Sequence, residues 1–478
     1  MHAMIKVPLA IMRKPTIILA TSNGVGMGHL ARASAIALAL KEDANPIIVS
    51  MAGGIAEISE YLGIKCEYIP GRDRGWMSRD LWDKYLRDRL VALAEETDAK
   101  IISFDGVVPY PGVIAAKVKR PNTSLIWVRR GLWQKKPQRF VLGLQSSMMD
   151  QIIEPGDIAR DYDHGPTADR GDAVLTAPVS LFQKKTALSR EQSREILGLD
   201  LLRPAVLVQL GTGDSDVNEK MTAALSGLLG WQDLQVILTK APIDKNGDSL
   251  APEGLDIRVV RHFPLAQVLH AFDASVCATG YNGVHELLPA EIPTVFVSNI
   301  RGTDDQEARA QWCNDFGFAL RADQADLDHI TATVQKLQDP EVRASLSKKC
   351  ATLPEVSGGE EIARIFLEIA LQNDVTSSAR VLTYKRLMAQ DHINRGLRHV
   401  AYLALRRAAL IYRTIRPHPA SVDLERLEPV FGAQNTTAEL REMIRHTPRF
   451  EHLIAGASEK YIARRREIAE EAYNPQVH

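Results

Sequence analysis

A chain of 478 residues is too long for one hydrophobic core and suits two or three domains. Its 45% apolar and 24% charged residues are the balance of an ordinary globular protein, and a formal net charge of -1 leaves no whole-molecule field to attract nucleic acid. The four cysteines, Cys66, Cys277, Cys313 and Cys350, are scattered with no CxxC pair, which argues against a zinc motif and fits a reducing compartment.

Lys6, Arg13 and Lys14 break the apolar stretches at the start, so no signal-peptide core is expected there. No run approaches the roughly 20 apolar residues that span a bilayer. A cytoplasmic protein is expected. Residues 16–21 (TIILAT) predict a strand ending in a glycine-rich turn, and 29–41 (HLARASAIALALK) a helix. Further strands are predicted at 46–50, 100–104 and 124–128. Continuous apolar strands with helices between them predict a parallel sheet covered on both faces.

The pattern restarts at 205–210 (AVLVQL), with a glycine turn at 211–213, a helix over 217–229, and strands at 235–239, 257–260, 274–277 and 294–297. Two α/β units, each opening with strand, glycine turn and helix, predict facing lobes whose helix N-termini collect anions. From 380 to 416, nine Lys or Arg residues stand against one acidic residue, Asp391, and 401–415 (AYLALRRAALIYRTI) has helical spacing. The expected domains are 15–200, 201–372 and a basic helical extension over 373–478. Two readings of the extension stand side by side: an amphipathic surface for anionic membrane, or a helical cap packed on the first domain.

Gly24-Val25-Gly26-Met27-Gly28-His29 lies between the first strand and helix. Its glycines are not spaced as G-x-G-x-x-G, and the second strand ends Ser50-Met51-Ala52 without an acidic residue, which argues against a nicotinamide cofactor. No Walker lysine follows, which removes a P-loop. Gly26 and Gly28 clear backbone space beside His29, whose imidazole accepts a proton near neutral pH at a helix start that disfavours its charged form. His29 is the candidate base; the alternative is a histidine that merely caps the helix. Arg32, one turn on, adds charge for a phosphate or is solvated. Asp105, in Ser103-Phe104-Asp105-Gly106, ends an apolar strand and is the reserve base, with a turn-forming aspartate as its alternative. Arg130 and Trp133, in Arg129-Arg130-Gly131-Leu132-Trp133, stand on the acceptor side, Trp133 either stacking on a sugar or filling the core.

The stretch 23–32 (NGVGMGHLAR) resembles the first-strand loop of GT-B enzymes. It is similar to that of the peptidoglycan N-acetylglucosaminyltransferases and, through Gly28, His29 and Arg32, to the G-H-x-x-R pattern of the UDP-sugar hydrolases of pseudaminic acid synthesis. The resemblance implies that His29 sits close to the reacting centre. A second resemblance spans 205–325. Thr279-Gly280-Tyr281-Asn282-Gly283-Val284-His285-Glu286, then Ile292-Pro293-Thr294-Val295-Phe296-Val297, then Asp304-Asp305-Gln306-Glu307-Ala308-Arg309-Ala310 follow the order of the C-terminal domain of family 28 glycosyltransferases.

The residue types suit that chemistry. A single carboxylate accepts from both hydroxyls of a ribose, so Glu286 is the expected ribose ligand. Gly280, Asn282 and Gly283 form a turn whose backbone approaches a diphosphate without Cβ obstruction. Asp305 and Gln306 suit sugar hydroxyls, His262 and Phe263 resemble the base-binding stretch, and Gly211, Thr212 and Gly213 would close over the phosphates. Two departures stand out: Glu291-Ile292 precede Pro293 where many relatives have glycine, and Arg309 stands where asparagine is common. Asp214-Ser215-Asp216 matches a D-x-D metal motif but precedes a helix, where aspartate caps.

The expected fold is α/β, of GT-B type: two Rossmann-like parallel-sheet domains facing a cleft, plus the C-terminal helical extension. The expected activity is that of an inverting glycosyltransferase moving a sugar, N-acetylglucosamine or another hexose, from a UDP-sugar to a glycan or lipid-linked acceptor in envelope polysaccharide synthesis. Neither an obligatory metal nor a cofactor is expected, and nucleic acid is not an expected partner; the inner membrane face is a further surface through the basic helices. The alternatives are a UDP-sugar hydrolase, or a non-catalytic nucleotide-sugar binding protein.

Overall fold

The computed structural model describes residues 14–372, apart from 23–26, 53–54, 73–76, 135–138, 212–214, 240–250 and 300–302, together with Ala404. The chain divides into two units, Met1–Met388 and Ala389–His478. Of the second unit only Ala404, a helical position, is described, so the basic extension expected over 373–478 lies outside the described residues.

Strands β1 (Thr16–Thr21), β2 (Asn45–Ser50), β3 (Lys65–Tyr68), β4 (Ala99–Asp105), β5 (Ser124–Val128), β6 (Gln151–Pro155) and β7 (Val174–Thr176) form one parallel sheet in the order β3-β2-β1-β4-β5-β6-β7. A second parallel sheet holds β8 (Ala205–Gln209), β9 (Gln235–Leu238), β10 (Asp256–Val259), β11 (Ala274–Ala278), β12 (Thr294–Val297) and β13 (Leu320–Ala322), in the order β10-β9-β8-β11-β12-β13. Helices α1 (Gly28–Leu40), α2 (Ile55–Leu62), α3 (Arg79–Thr97), α4 (Pro111–Lys119) and α5 (Arg139–Ser147) belong to the first lobe's stretch of chain. Helices α6 (Arg190–Leu197), α7 (Ser215–Ser226), α8 (Tyr281–Leu287), α9 (Gln306–Asp315), α10 (Leu327–Gln335) and α11 (Pro340–Cys350) accompany the second sheet.

The central strands are apolar on both faces because helices cover both: every residue of β1 is buried. Trp82, Phe104 and Trp127 fill one face of the first sheet, and Ile17, Ile36 and Leu40 the other. Strands β3, β6, β7 and β13 were not predicted. β3 (KCEY) and β7 (VLT) lie at the sheet's edges, partly exposed, and lack the apolar run that marks the centre.

One helix crosses back. α12 (Gly358–Leu371) buries Ile362, Ala363 and Phe366 in the cluster that holds Ile36 and Leu40 of α1. Each large apolar side chain so buried stabilises the fold by about 1.5–3 kcal/mol. Gly358 permits the approach, since a Cβ there would collide with the Ala177 carbonyl. The 201–372 stretch therefore gives its last helix to the first lobe. In the other direction, Phe182, Leu197 and Leu199 join the second lobe's core, so the chain changes lobe before residue 200.

Sheet order reverses between β1 and β4 in the first lobe and between β8 and β11 in the second. Loops leaving the carboxyl ends of strands at such reversals line a crevice, which is where open parallel sheets hold ligands.

Candidate functional site

At the first reversal, α1 begins right after the glycine-rich turn, which puts His29 in its first turn. β4 pairs with β1 so that Asp105 lies opposite Thr21. His29 Nδ1 is 2.6 Å from Asp105 Oδ1. Arg32 Nε donates to Asp105 Oδ2 at 2.9 Å and its Nη2 to Oδ1 at 2.5 Å. Arg32 Nη2 also approaches His29 Nδ1, at 2.8 Å.

One ring nitrogen cannot accept from Arg32 and donate to Asp105 together. A ring lone pair facing a carboxylate at this separation is repulsive, whereas Arg32 already has both carboxylate oxygens. Nδ1 therefore carries the proton and Nε2 the lone pair, and Nε2 has no hydrogen-bond partner among the described residues. Burial pulls the His29 pKa below its ordinary value; Asp105 opposes this without reversing it, and Arg32 and Arg130 add to it. For Asp105, burial pushes upward, but Arg32 and His29 outweigh it and the carboxyl stays below its usual range. Both oxygens of Asp105 are thus engaged, Oδ1 by His29 and Arg32 and Oδ2 by Arg32. The contact of Asp105 with Nδ1 fixes the orientation of the His29 ring.

Gly28 has open space where a Cβ would be, and Gly26 lies outside the described residues. Arg130, its side chain 15% exposed, meets Asp304 Oδ1 at 3.4 Å, and its Nε is buried with no partner among the described residues. Trp133 is a core aromatic: it is buried in the first lobe and donates its indole N–H to the Arg130 carbonyl at 2.6 Å.

In the second lobe, Gly211 follows β8 by two residues with φ 96, a conformation that glycine alone adopts without strain; Thr212 and Gly213 lie outside the described residues. Gly280 is unobstructed. Gly283 serves packing instead, because a Cβ there would sit 3.0 Å from Cys277 Sγ where α8 rests on β11. Glu286 is half-buried, and its carboxyl has no hydrogen-bond or ion-pair partner among the described residues. Burial pushes its carboxyl up to about 8. Its charge acts on the Cys277 thiol, which places it at the end of β11, by the second reversal. His262 is half-buried, its Nε2 unpartnered among the described residues and its pKa lowered by burial. Phe263 packs on the first lobe's core, edge-on to Tyr61 with centroids 6.4 Å apart.

Asp305 caps α9, accepting from the Ala308 N–H at 3.0 Å through Oδ1. Gln306 is buried; its Oε1 accepts from the Asn299 N–H at 2.9 Å and its Nε2 donates to Asp304 Oδ2 at 3.3 Å. Both ends of that amide are engaged within the loop. Asn282 reaches the other way, donating from Nδ2 to the Gly28 carbonyl at 3.1 Å.

Residues to which the sequence assigned no role join the lobes. Arg309, fully buried, bonds both oxygens of Asp157 through Nε at 3.2 and 3.0 Å, and donates from Nη1 to the Thr279 carbonyl at 2.7 Å. Burial alone would raise the Asp157 pKa, but Arg309 holds it down to about 2. His285 pairs its Nδ1 with the Tyr281 carbonyl at 2.7 Å, and its Nε2 accepts from the Ile158 N–H at 3.0 Å. That pair of bonds fixes a neutral tautomer, and burial lowers its pKa to about 4. Tyr281 donates its hydroxyl to the Gly156 carbonyl at 2.8 Å and accepts from the Val179 N–H at 2.9 Å. Of this junction, only the departure at Arg309 stood out in the sequence.

No family model matches the chain. It is 31% identical over 195 residues to the UDP-N-acetylglucosamine--N-acetylmuramyl-(pentapeptide) pyrophosphoryl-undecaprenol N-acetylglucosamine transferase of a Nocardioides species, covering 39% of this chain and 52% of that one. To the transferase of the same name from Cutibacterium acnes it is 29% identical over 298 residues, 59% of this chain and 75% of the relative. The chain thus spans about half the length of the first of these relatives. Among solved structures, spinosyn forosaminyltransferase SpnP superposes with a TM-score of 0.51 at 14% identity, over 74% of this chain and 99% of that one. The chain has the GT-B fold.

In this GT-B chain the two reversal points carry distinct chemistry: a buried His–Asp–Arg group in one lobe and an unpartnered carboxyl in the other. No helix among the described residues is long and apolar enough to cross a membrane.

Proposed function

We propose that the chain is an inverting glycosyltransferase that moves a sugar from a UDP-sugar to a hydroxyl of a glycan or lipid-linked acceptor in envelope polysaccharide synthesis. The 2.6 Å pairing of His29 Nδ1 with Asp105 carries the reading, because it leaves Nε2 as a neutral, oriented base. Glu286 supports it from the other lobe as the acceptor for two ribose hydroxyls, with the backbone at Gly280 open to the diphosphate.

In this reading the acceptor hydroxyl gives its proton to His29 Nε2 as its oxygen bonds the anomeric carbon. The bond from that carbon to the diphosphate oxygen breaks on the opposite face, its electron pair leaving with UDP, and the configuration inverts. Asp105 stabilises the imidazolium so formed. The UDP-sugar and the lipid-linked acceptor are inferred from the relatives, whose names contain both. No obligatory metal takes part, so chelation by EDTA is expected to leave turnover unchanged. A place on the inner face of the membrane through the basic extension belongs to the same proposal. Co-sedimentation with anionic vesicles, full chain against a truncation after Asn373, tests it; equal pelleting would exclude the extension as the anchor.

A thermal-shift screen of nucleotide sugars, followed by turnover of the best binder with glycan and lipid-linked acceptors, tests the transferase itself. Sugar release at full rate without acceptor would make the chain a hydrolase. UDP binding with no turnover under any condition would make it a binding protein.

A further inference from the structure

We propose that Asn282 is a positioning residue, which holds the backbone beside His29 from the opposite lobe and so sets the base in place only while the lobes are together. The role rests on the reading of His29 as the base.

The start of α1 is poorly held by its own sequence. Its N-cap is Met27, with no side-chain hydrogen bond to the free N–H groups of the first turn. Its first residue is Gly28, free to change conformation, with no atom in the space a side chain would take. A helix start of this kind frays unless something outside it intervenes. Two successive residues at the start of α8 do so. Asn282 Nδ2 donates to the Gly28 carbonyl at 3.1 Å, across 254 residues of chain. The Tyr281 ring lies 5.1 Å from the Arg32 guanidinium carbon, one turn beyond His29.

The anchor is itself fixed. The Tyr281 hydroxyl is held between the Gly156 carbonyl and the Val179 N–H of the first lobe, and His285 ties the far end of α8 to Ile158. The Asn282 amide is turned toward the first lobe: Nδ2 is spent on Gly28, and Oδ1 is buried, without a partner among the described residues. Its place next to the glycine turn of the donor lobe thus links that lobe to the base in the other one. Parting the lobes breaks this hydrogen bond and releases the His29 segment.

Asn282→Ala and the near-isosteric Asn282→Asp, neither of which can donate to Gly28, are the test. Both are expected to lower kcat about tenfold to a hundredfold, the cost of a misplaced catalytic group, with UDP affinity and donor KM close to wild type in Asn282→Ala, which adds no charge beside the diphosphate turn. Hydrogen exchange over residues 27–33 is expected to accelerate in both, with unchanged exchange in β8 and β11. A raised UDP Kd with unchanged kcat, or wild-type exchange at 27–33, would overturn the proposal. The exchange measurement needs no turnover. A wild type inactive toward every nucleotide sugar would therefore defeat the transferase reading, while exchange still decides whether Asn282 holds the segment.

Discussion

Arg309 of the second lobe and Asp157 of the first form a buried ion pair, 2.8 Å from Nη2 to Oδ2. Neither group has a solvated alternative in the folded chain, and Arg309 also serves Asp304 and Thr279. Removing one partner leaves the other as an uncompensated buried charge. Arg309→Met is expected to cost about 3–5 kcal/mol in denaturant unfolding, and the double variant Asp157→Asn with Arg309→Met less than the sum of the singles. Losses below about 1 kcal/mol would mean that the pair is not what joins the lobes.

Asp105→Asn removes the anion that orients His29 while keeping the shape. It is expected to lower kcat by about 10²–10⁴, as is His29→Ala, with UDP binding by calorimetry retained in both. A UDP affinity that falls in step with kcat would place the pair in donor binding instead.

As the proposed base, His29 works only when unprotonated. Burial holds the His29 pKa below 6.5, so kcat at saturating donor, where Glu286 is already ionised, is expected to stay level across neutral pH and to fall as pH drops through a value beneath 6.5. An acid limb centred above 6.5 in the pH–rate profile would contradict the geometry at Nδ1.

Glu286 makes a calorimetric prediction. Its carboxyl, at about 8, is mostly protonated near pH 7, yet accepting from ribose hydroxyls favours the ionised form. UDP binding near pH 7 is expected to release close to one proton, and to release almost none at about pH 10. Titrations in buffers of different ionisation enthalpy measure this. Glu286→Gln is expected to abolish the release and to weaken UDP.

His285 is neutral in the fold, with a pKa lowered from 6.5 to about 4. The unfolded chain takes up its proton first, so stability is full above pH 6.5 and is lost as pH falls from there toward 4, by up to about 3 kcal/mol. Urea midpoints across that range are expected to fall less steeply in His285→Gln than in wild type.

Much of this was legible in one dimension. Central strands such as TIILAT and AVLVQ announce themselves because burial on both faces favours an unbroken apolar run, and a glycine turn between strand and helix marks a candidate ligand site. His29 and Glu286 stood at such turns. The pairing of Asp105 with His29, 2.6 Å in space across 76 residues, is not written locally. The same holds for Arg309, whose oddness was visible while its partner, 152 residues away, was not. Trp133 carried two readings that only burial separates. Edge strands β3 and β7 escaped because their partial exposure permits the mixed composition of loops.

The recrossing of α12 onto α1 bears on how such chains can be recombined. A hybrid joined at a single point near residue 200 would marry the final helix of one parent to the opening helix of the other, leaving Phe366 facing a surface shaped for a different side chain. Exchange of donor specificity between relatives therefore calls for two junctions, one ahead of Phe182 and one ahead of Gly358, so that each lobe travels with all of its own helices.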